Sequence, residues 1–151
     1  MKELQAIDIT KFLPHRPPFL MVDTILTLTE TNVSTSFNIK EDCIFVENKL
    51  FTETGLIENA AQTCSSIVGK DFFEEGDLEG KSAKLIGFIS AIKKVTIKKC
   101  PQQGDRIVTR AYLISRFDAD GYSVCTLGCD SYCDEQELLS CEMNLFIQEL
   151  K

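Results

Sequence analysis

One long helical pattern, residues 55–69, lies in a sequence whose other periodic segments have the character of strands. Thr52 or Thr54 can cap its start and Gly69 can end it. Small residues crowd this segment, so a sheet could approach the helix backbone closely. The apolar positions recur at spacings of three and four, as on a helix with one buried face: Leu56, Ile57, Ala60, Ala61, Cys64, Ile67 and Val68.

Alternating apolar and β-branched residues predict strands on both sides of this helix. Residues 21–28 and 32–39 are expected to form a hairpin before it. The strands expected after it cover residues 83–92, 94–100, 106–117, 122–133 and 137–149. A hairpin, one helix and a meander of long strands is typical of an α+β domain whose antiparallel sheet packs on a central helix. We predict a single domain over residues 1–151.

Composition excludes several classes of function. The net charge of −7 argues against nucleic-acid binding, which needs a basic face. No apolar run approaches the roughly 20 residues of a membrane span, and the N-terminus does not resemble a secretion signal. The seven cysteines are odd in number and lack a Cys-x-x-Cys pair. We therefore expect reduced thiols in a cytoplasmic protein that binds no membrane.

Four segments resemble, in order, motifs of the 3-hydroxyacyl-[acyl carrier protein] dehydratases. They are LPHRPPFLMVD at 13–23, GLIENAAQ at 55–62, IGFI at 86–89 and CPQQGD at 100–105. That family has the hotdog fold, an antiparallel sheet wrapped around a long central helix. The resemblance implies the same fold here.

The resemblance also implies the site residues. Glu58 matches the family's catalytic carboxylate, and Gln62 matches a position that supports it. The substrate-binding positions implied by the motifs are Phe45, Asn48, Gly87 and Phe88. No cofactor or metal is implied.

The expected catalytic histidine is missing from its usual place. The family's GHFP segment falls near residues 43–49, where its first histidine corresponds to about Ile44 and its later one to about Asn48. The chain has one histidine, His15, and the resemblance implies a structural role for it in the opening loop. Dehydration requires a base for the C2 proton and an acid for the leaving hydroxyl. The usual base is therefore absent.

Three functions remain compatible with this pattern. The first is a dehydratase-like subunit of a fatty-acid-like or polyene pathway, similar to divergent members of aryl polyene clusters that lack GHFP. It would bind 3-hydroxyacyl or acyl chains carried by acyl-phosphopantetheine on acyl carrier protein. The family resemblance implies a dimer, either a homodimer or a heterodimer with a histidine-bearing hotdog subunit. The second is a thioesterase that uses Glu58, and the third is a non-catalytic acyl-binding scaffold.

Lysines gather in one segment of this acidic chain. No acidic residue occurs between Ser82 and Gly104. A local basic patch is a plausible contact for an anionic carrier protein or phosphate; alternatively, the lysines protect an edge strand. The candidate carrier-binding residues are Lys93, Lys94, Lys98 and Lys99.

The cysteines do not predict a metal site. Cys125, Cys129 and Cys133 would share one face of a strand, with neighbours about 13 Å apart at about 3.3 Å per residue. That separation is too large for one ion. Cys64 is the cysteine expected near the site, where a nucleophilic role would need a nearby histidine.

Overall fold

The computed structural model of the chain describes residues 7–69 and 84–150. Before the helix the strands are β1 (Ile7–Asp8), β2 (Thr24–Leu28), β3 (Asn32–Asn38), β4 (Val46–Glu47) and β5 (Leu50–Phe51), with a 3-10 turn at Ile9–Lys11. The helix α1 (Glu53–Gly69) follows. After it come β6 (Lys84–Ile97), β7 (Arg106–Ala119), β8 (Tyr122–Cys133) and β9 (Gln136–Leu150).

Seven strands form one antiparallel sheet in the order β1-β2-β3-β7-β8-β9-β6, while β4 and β5 form a separate short ribbon. The helix α1 packs against the sheet and contacts β3, β7 and β8 in particular. One helix against an antiparallel sheet is the α+β hotdog arrangement, so the predicted fold is confirmed.

The start of α1 follows its local sequence. The Thr52 hydroxyl accepts a hydrogen bond from the Gly55 backbone N–H at 3.3 Å, as a helix cap does. Leu56, Ala60 and Cys64 are fully buried on the sheet side. The helix begins at Glu53, two residues earlier than the apolar pattern alone predicts, because the cap rather than the first apolar residue sets the start.

Polar side chains also join α1 to the sheet. The buried Thr63 hydroxyl lies 2.8 Å from the Thr35 hydroxyl of β3. Asn59 Oδ1 accepts a hydrogen bond at 2.6 Å from the Thr109 hydroxyl of β7. Buried polar groups are stable only when paired, so these bonds fix the orientation of the helix on the sheet.

The prediction of two strands at 83–92 and 94–100 was wrong. The structure has one strand, β6, from Lys84 to Ile97, and residue 83 lies outside the described residues. Its pairing with β9 changes register between Ile89 and Ala91 and between Ile92 and Lys94. Such bulges let a strand absorb an extra residue and continue pairing, so Lys93 does not end it.

The expected strand 21–28 starts at Thr24 instead. The backbone of Met21 is bonded to α1 rather than to a strand. Its N–H donates to Gln62 Oε1 at 2.7 Å, and its carbonyl accepts from Asn59 Nδ2 at 2.7 Å. The helix amides therefore hold this segment out of the sheet.

The strand β6 lies at the end of the sheet, and its outer edge has no neighbouring strand in the described part of the chain. Every side chain from residue 87 to residue 96 is exposed. Large apolar groups are among them: Phe88, Ile89, Ile92 and Val95. Such an edge offers backbone groups and apolar surface to a further strand.

Cys125 and Cys129 are buried on one face of β8 as predicted, whereas Cys133 lies beyond a register shift and is half-buried. Hydrogen bonds to the thiols of Cys141 and Cys64, together with burial, raise the pKa of the Cys129 thiol well above its ordinary value. Residues 7–69 and 84–150 contain no group of three or more His, Cys, Asp or Glu side chains arranged to hold a metal.

No helix among the described residues has the length and apolar character that a membrane span requires.

Candidate active site

The opening loop, residues 13–23, is held on the middle of α1 by two buried amides, Asn59, described above, and Gln62. Gln62 Oε1 accepts the Met21 N–H at 2.7 Å, and Gln62 Nε2 donates to the Phe19 carbonyl at 2.9 Å. The same Nε2 donates to Glu58 Oε1 at 2.8 Å. Gln62 therefore sets the position of the loop and of the Glu58 carboxylate together.

The exposed side chain of Arg16 stabilises the loop through backbone carbonyls. Its Nη1 donates to the carbonyls of Leu13 and His15, each at 2.8 Å, and its Nη2 donates to the Thr10 carbonyl at 3.3 Å. These contacts give Arg16 a structural role in the loop.

Glu58 and His15 face each other where this loop meets the helix. His15 Nε2 lies 3.9 Å from Glu58 Oε1, and each side chain is 32% exposed. This distance is too long for a hydrogen bond, but it places an imidazole and a carboxylate at one point of the surface. The loop fastening described above brings them together across a long stretch of sequence.

Burial lowers the pKa of His15 below its ordinary value, the nearby Glu58 charge opposes this shift, and Arg16 adds to it. A neutral imidazole is therefore favoured near neutral pH. Its Nδ1 is buried and has no hydrogen-bond partner among the described residues. No neighbour fixes the tautomer, so Nε2 can present a lone pair or a proton.

Both side chains open onto a pocket of about 250 Å³ between α1, the loop and the edge of the sheet. On α1, Glu58, Ala61, Gln62 and Ser65 share the face that borders it. Apart from His15 and Glu58, the described residues that line it carry no titratable group: Phe12, Leu13, Pro14, Ala61, Gln62, Ser65, Gly87, Phe88, Ile89, Leu145 and Ile147. This combination of an apolar wall and two convergent proton-carrying groups is typical of a small-molecule site.

The predicted site residues fall into two separate places. Glu58, Gln62, Gly87 and Phe88 line this pocket. Phe45 and Asn48 instead line a wider depression of about 660 Å³ beside the start of α1, together with Ile44. Within one chain the structure does not bring the two groups of residues together.

Two of the four predicted carrier-binding lysines have acidic neighbours on β9 that the local sequence does not show. Lys98 forms an ion pair with Glu137, and Lys94 lies opposite Glu142 in the sheet register. All four lysines are exposed. Acidic residues of β9 therefore offset part of the positive charge of these lysines, which the local sequence does not show.

Sequence reasoning assigned His15 to the opening loop alone and passed over Asn59. Asn59 had a usable signal, since it lies three residues after Leu56 and three before Gln62 on the predicted helix, a spacing that places it near the buried face. The sequence contained no signal for the position of His15, because its approach to Glu58 depends on how the loop folds back onto α1.

Comparisons with known proteins agree with this architecture. The profile of the ApeP-like family, described as ApeP dehydratase, matches residues 7–150. The chain is 33% identical over 115 residues to the 3-hydroxyacyl-[acyl-carrier-protein] dehydratase FabZ of Rhizobium johnstonii. The aligned stretch covers 71% of this chain and 68% of that protein. It is 28% identical over 140 residues to FabZ of Pasteurella multocida, which covers 82% of this chain and 88% of that protein.

Two solved structures share the fold at low identity. A chain of the dehydratase heterocomplex ApeI:P from Xenorhabdus doucetiae superimposes with a TM-score of 0.77 at 15% identity, over 97% of this chain and 94% of that chain. A hypothetical thioesterase with coenzyme A from Streptococcus pneumoniae gives a TM-score of 0.59 at 8% identity, over 84% and 86% of the two chains.

Proposed function

Because the chain belongs to the ApeP-like dehydratase family, we propose that it binds the 3-hydroxyacyl chain of an acyl carrier protein and takes part in the removal of water. The pocket beside α1 receives the acyl chain. Its curated relatives are dehydratases of such substrates, which supports this choice of substrate.

The observation that carries the proposal is the Glu58 carboxyl at the pocket wall. Gln62 holds one of its oxygens by a 2.8 Å hydrogen bond, so the group is positioned before substrate arrives. In the reaction the C3–O bond breaks and the hydroxyl leaves as water with a proton from the Glu58 carboxyl. The C2 proton passes to a base, and its bonding electrons form the C2–C3 double bond. Positioned acid–base groups of this kind typically contribute about 10²- to 10⁴-fold in rate.

The chain acts as one subunit of a dimer with another hotdog protein. The outer edge of β6, unpaired within residues 7–69 and 84–150, and its exposed apolar side chains are suited to continue the sheet into a second subunit. Gly87, Phe88 and Ile89 form a pocket wall on this same strand. A second subunit would therefore also enlarge and close the pocket, which at about 250 Å³ is smaller than the roughly 300–1,000 Å³ of typical ligand sites.

A heterodimer is favoured by the similarity to a chain of the Xenorhabdus heterocomplex. A histidine-bearing partner would bring its own catalytic segment to the interface. The depression beside Ile44 and Asn48 would then form this chain's part of the binding site on the partner's side of the dimer.

The test is mass spectrometry of a 3-hydroxyacyl carrier protein incubated with this protein, alone and with a histidine-bearing hotdog partner. We expect loss of water from the acyl group. Glu58→Gln should reduce the rate about 100-fold or more, because the amide cannot donate the carboxyl proton. Glu135→Gln, the same change in an exposed turn, is the matched control and should retain the full rate.

Two other results would replace the proposal. Release of the free acid that disappears in Glu58→Gln would identify a thioesterase, a function for which the fold similarity to the Streptococcus protein is the available support. Binding of the acyl carrier protein without any chemical change, even with a partner present, would identify a scaffold.

A further inference from the structure

We propose that His15 is the base that removes the C2 proton, so that this chain carries its own acid–base pair in a single pocket. The inference rests on the proposed function, and it identifies a base in place of the histidine that the family's GHFP segment would supply. It assigns the role to a histidine of the opening loop rather than to one at residues 43–49.

The contacts of the imidazole do not explain its presence as a structural group. The loop is held by Arg16, Gln62 and Asn59 through the hydrogen bonds described above. The His15 ring makes no hydrogen bond to any described residue, and its buried Nδ1 is unpartnered. A buried polar atom without a partner costs free energy, so a role outside loop stability is the simplest reason for a histidine here.

The separation of the two groups fits an elimination. Two protein atoms in contact with opposite sides of an acyl chain would lie roughly 7 Å apart, because each would be about 3.5–4.0 Å from the chain carbon between them. His15 Nε2 and Glu58 Oε1 are 3.9 Å apart, so both must approach the acyl chain from one side. From there one can reach the hydrogen on C2 while the other reaches the hydroxyl on C3, and the elimination is syn.

The charge state of the ring is suited to this step. Arg16 acts on it as a permanent charge, and Glu58 acts on it as a charge whenever its carboxyl is ionised. The pocket lining contains no further titratable side chain among the described residues. Burial in this apolar setting keeps the imidazole neutral near neutral pH, as a base must be.

The proton balance closes within the pair when it enters the step with one proton, carried by the Glu58 carboxyl, and with a neutral His15. Nε2 takes the C2 proton and becomes imidazolium, while the Glu58 carboxyl gives its proton to the departing hydroxyl and becomes carboxylate. Transfer of one proton from His15 to Glu58, through the product water or directly, restores the starting state. No oxidant, metal or cofactor takes part.

The experiment compares wild type, His15→Ala and Glu135→Gln as full-length protein on a 3-hydroxyacyl carrier protein, alone and with a hotdog partner whose own catalytic histidine has been replaced by alanine. We expect His15→Ala to lower kcat at least 100-fold, with KM little changed. In wild type, kcat/KM should fall as the pH drops through the pKa of His15, and this acidic limb should be absent from the residual activity of His15→Ala. Added imidazole should restore part of the activity only in the variant.

The inference is overturned if His15→Ala turns over within threefold of wild type, or if its activity falls while the acidic limb persists. In both cases wild type still dehydrates, and the proposed function stands with a different base. If wild type removes no water under either condition, the proposed function fails, and the inference fails with it.

Discussion

At the scale of single residues, the site depends on amides more than on charges. Gln62 makes three hydrogen bonds and Asn59 makes two, all inside a buried or half-buried region. A typical bond of this kind contributes about 1 kcal/mol, and an unpaired buried partner costs about 1–3 kcal/mol. Both amides therefore fix the opening loop on α1, and Gln62, which also lines the pocket, positions the Glu58 carboxyl.

The single histidine makes the electrostatics of the pocket directly measurable. An NMR titration should give one histidine signal and a His15 pKa below 6.5, because burial disfavours the charged ring. Glu58→Gln should lower this pKa further, since it removes the charge that raises it. Glu135→Gln should leave it unchanged, and a rise of the pKa in Glu58→Gln would contradict the assignment.

The lowered pKa of His15 also determines how the free energy of unfolding depends on pH. The folded ring binds its proton less tightly than the unfolded ring, so the unfolded state takes up more protons just below pH 6.5. The contribution of His15 to the free energy of unfolding is therefore present above pH 6.5 and is lost as the pH falls through the lowered folded-state pKa.

At the scale of elements, the sequence predicts α1 well and β6 poorly, for physical reasons. The helix follows from apolar spacing and from the Thr52 cap, which are local features. The continuity of β6 depends on two register shifts against β9, and neither strand reveals them alone. The late start of β2 has a similar origin, because helix amides elsewhere in the chain hold the Met21 backbone.

The first turn of α1 requires glycine at position 55. An added Cβ would lie 2.7 Å from two ring atoms of Phe51 and 2.8 Å from Phe45 Cβ, and Phe51 is fully buried. We expect Gly55→Ala to destabilise the protein by about 1–3 kcal/mol through overpacking, although alanine is the better helix former by about 1 kcal/mol.

Urea denaturation measures this effect. Gly87→Ala is the matched control, because its Cβ would meet only Ile147 Cγ1 at 3.9 Å, an ordinary contact. It should unfold at or slightly above the wild-type midpoint. An unchanged or higher urea midpoint for Gly55→Ala would contradict the prediction, because it would show that the start of α1 shifts to accommodate the added methyl group.

At the scale of the whole molecule, the fold and the position of Glu58 on its helix could be predicted from the sequence. The meeting of His15 and Glu58 could not, because it arises from a loop that folds back over α1. The division of the predicted substrate residues between two pockets was equally hidden, since motif order along a chain does not say which residues one chain brings together.

The charge distribution gives a whole-molecule prediction. Lys93 is exposed on β6 a few residues from the pocket wall, in a protein of net charge −7. If the carrier protein docks there, Lys93→Glu should weaken its binding by about 0.5–1 kcal/mol, and salt should reduce the difference. Lys40→Glu, the same charge change at another exposed site, is the control for a titration calorimetry series. Equal affinities for the two variants would place the carrier elsewhere.

The outer edge of β6, which no strand of the described residues covers, also has a consequence for how a cell produces this protein. An exposed strand edge with apolar side chains pairs readily with whatever edge it meets first, including that of an identical chain or a misfolded one. If the chain forms the proposed heterodimer, a chain made in excess of that partner is therefore exposed to aggregation and proteolysis. Balanced synthesis of the two subunits, or assembly during translation, would protect it, and co-expression should yield more folded protein than expression alone.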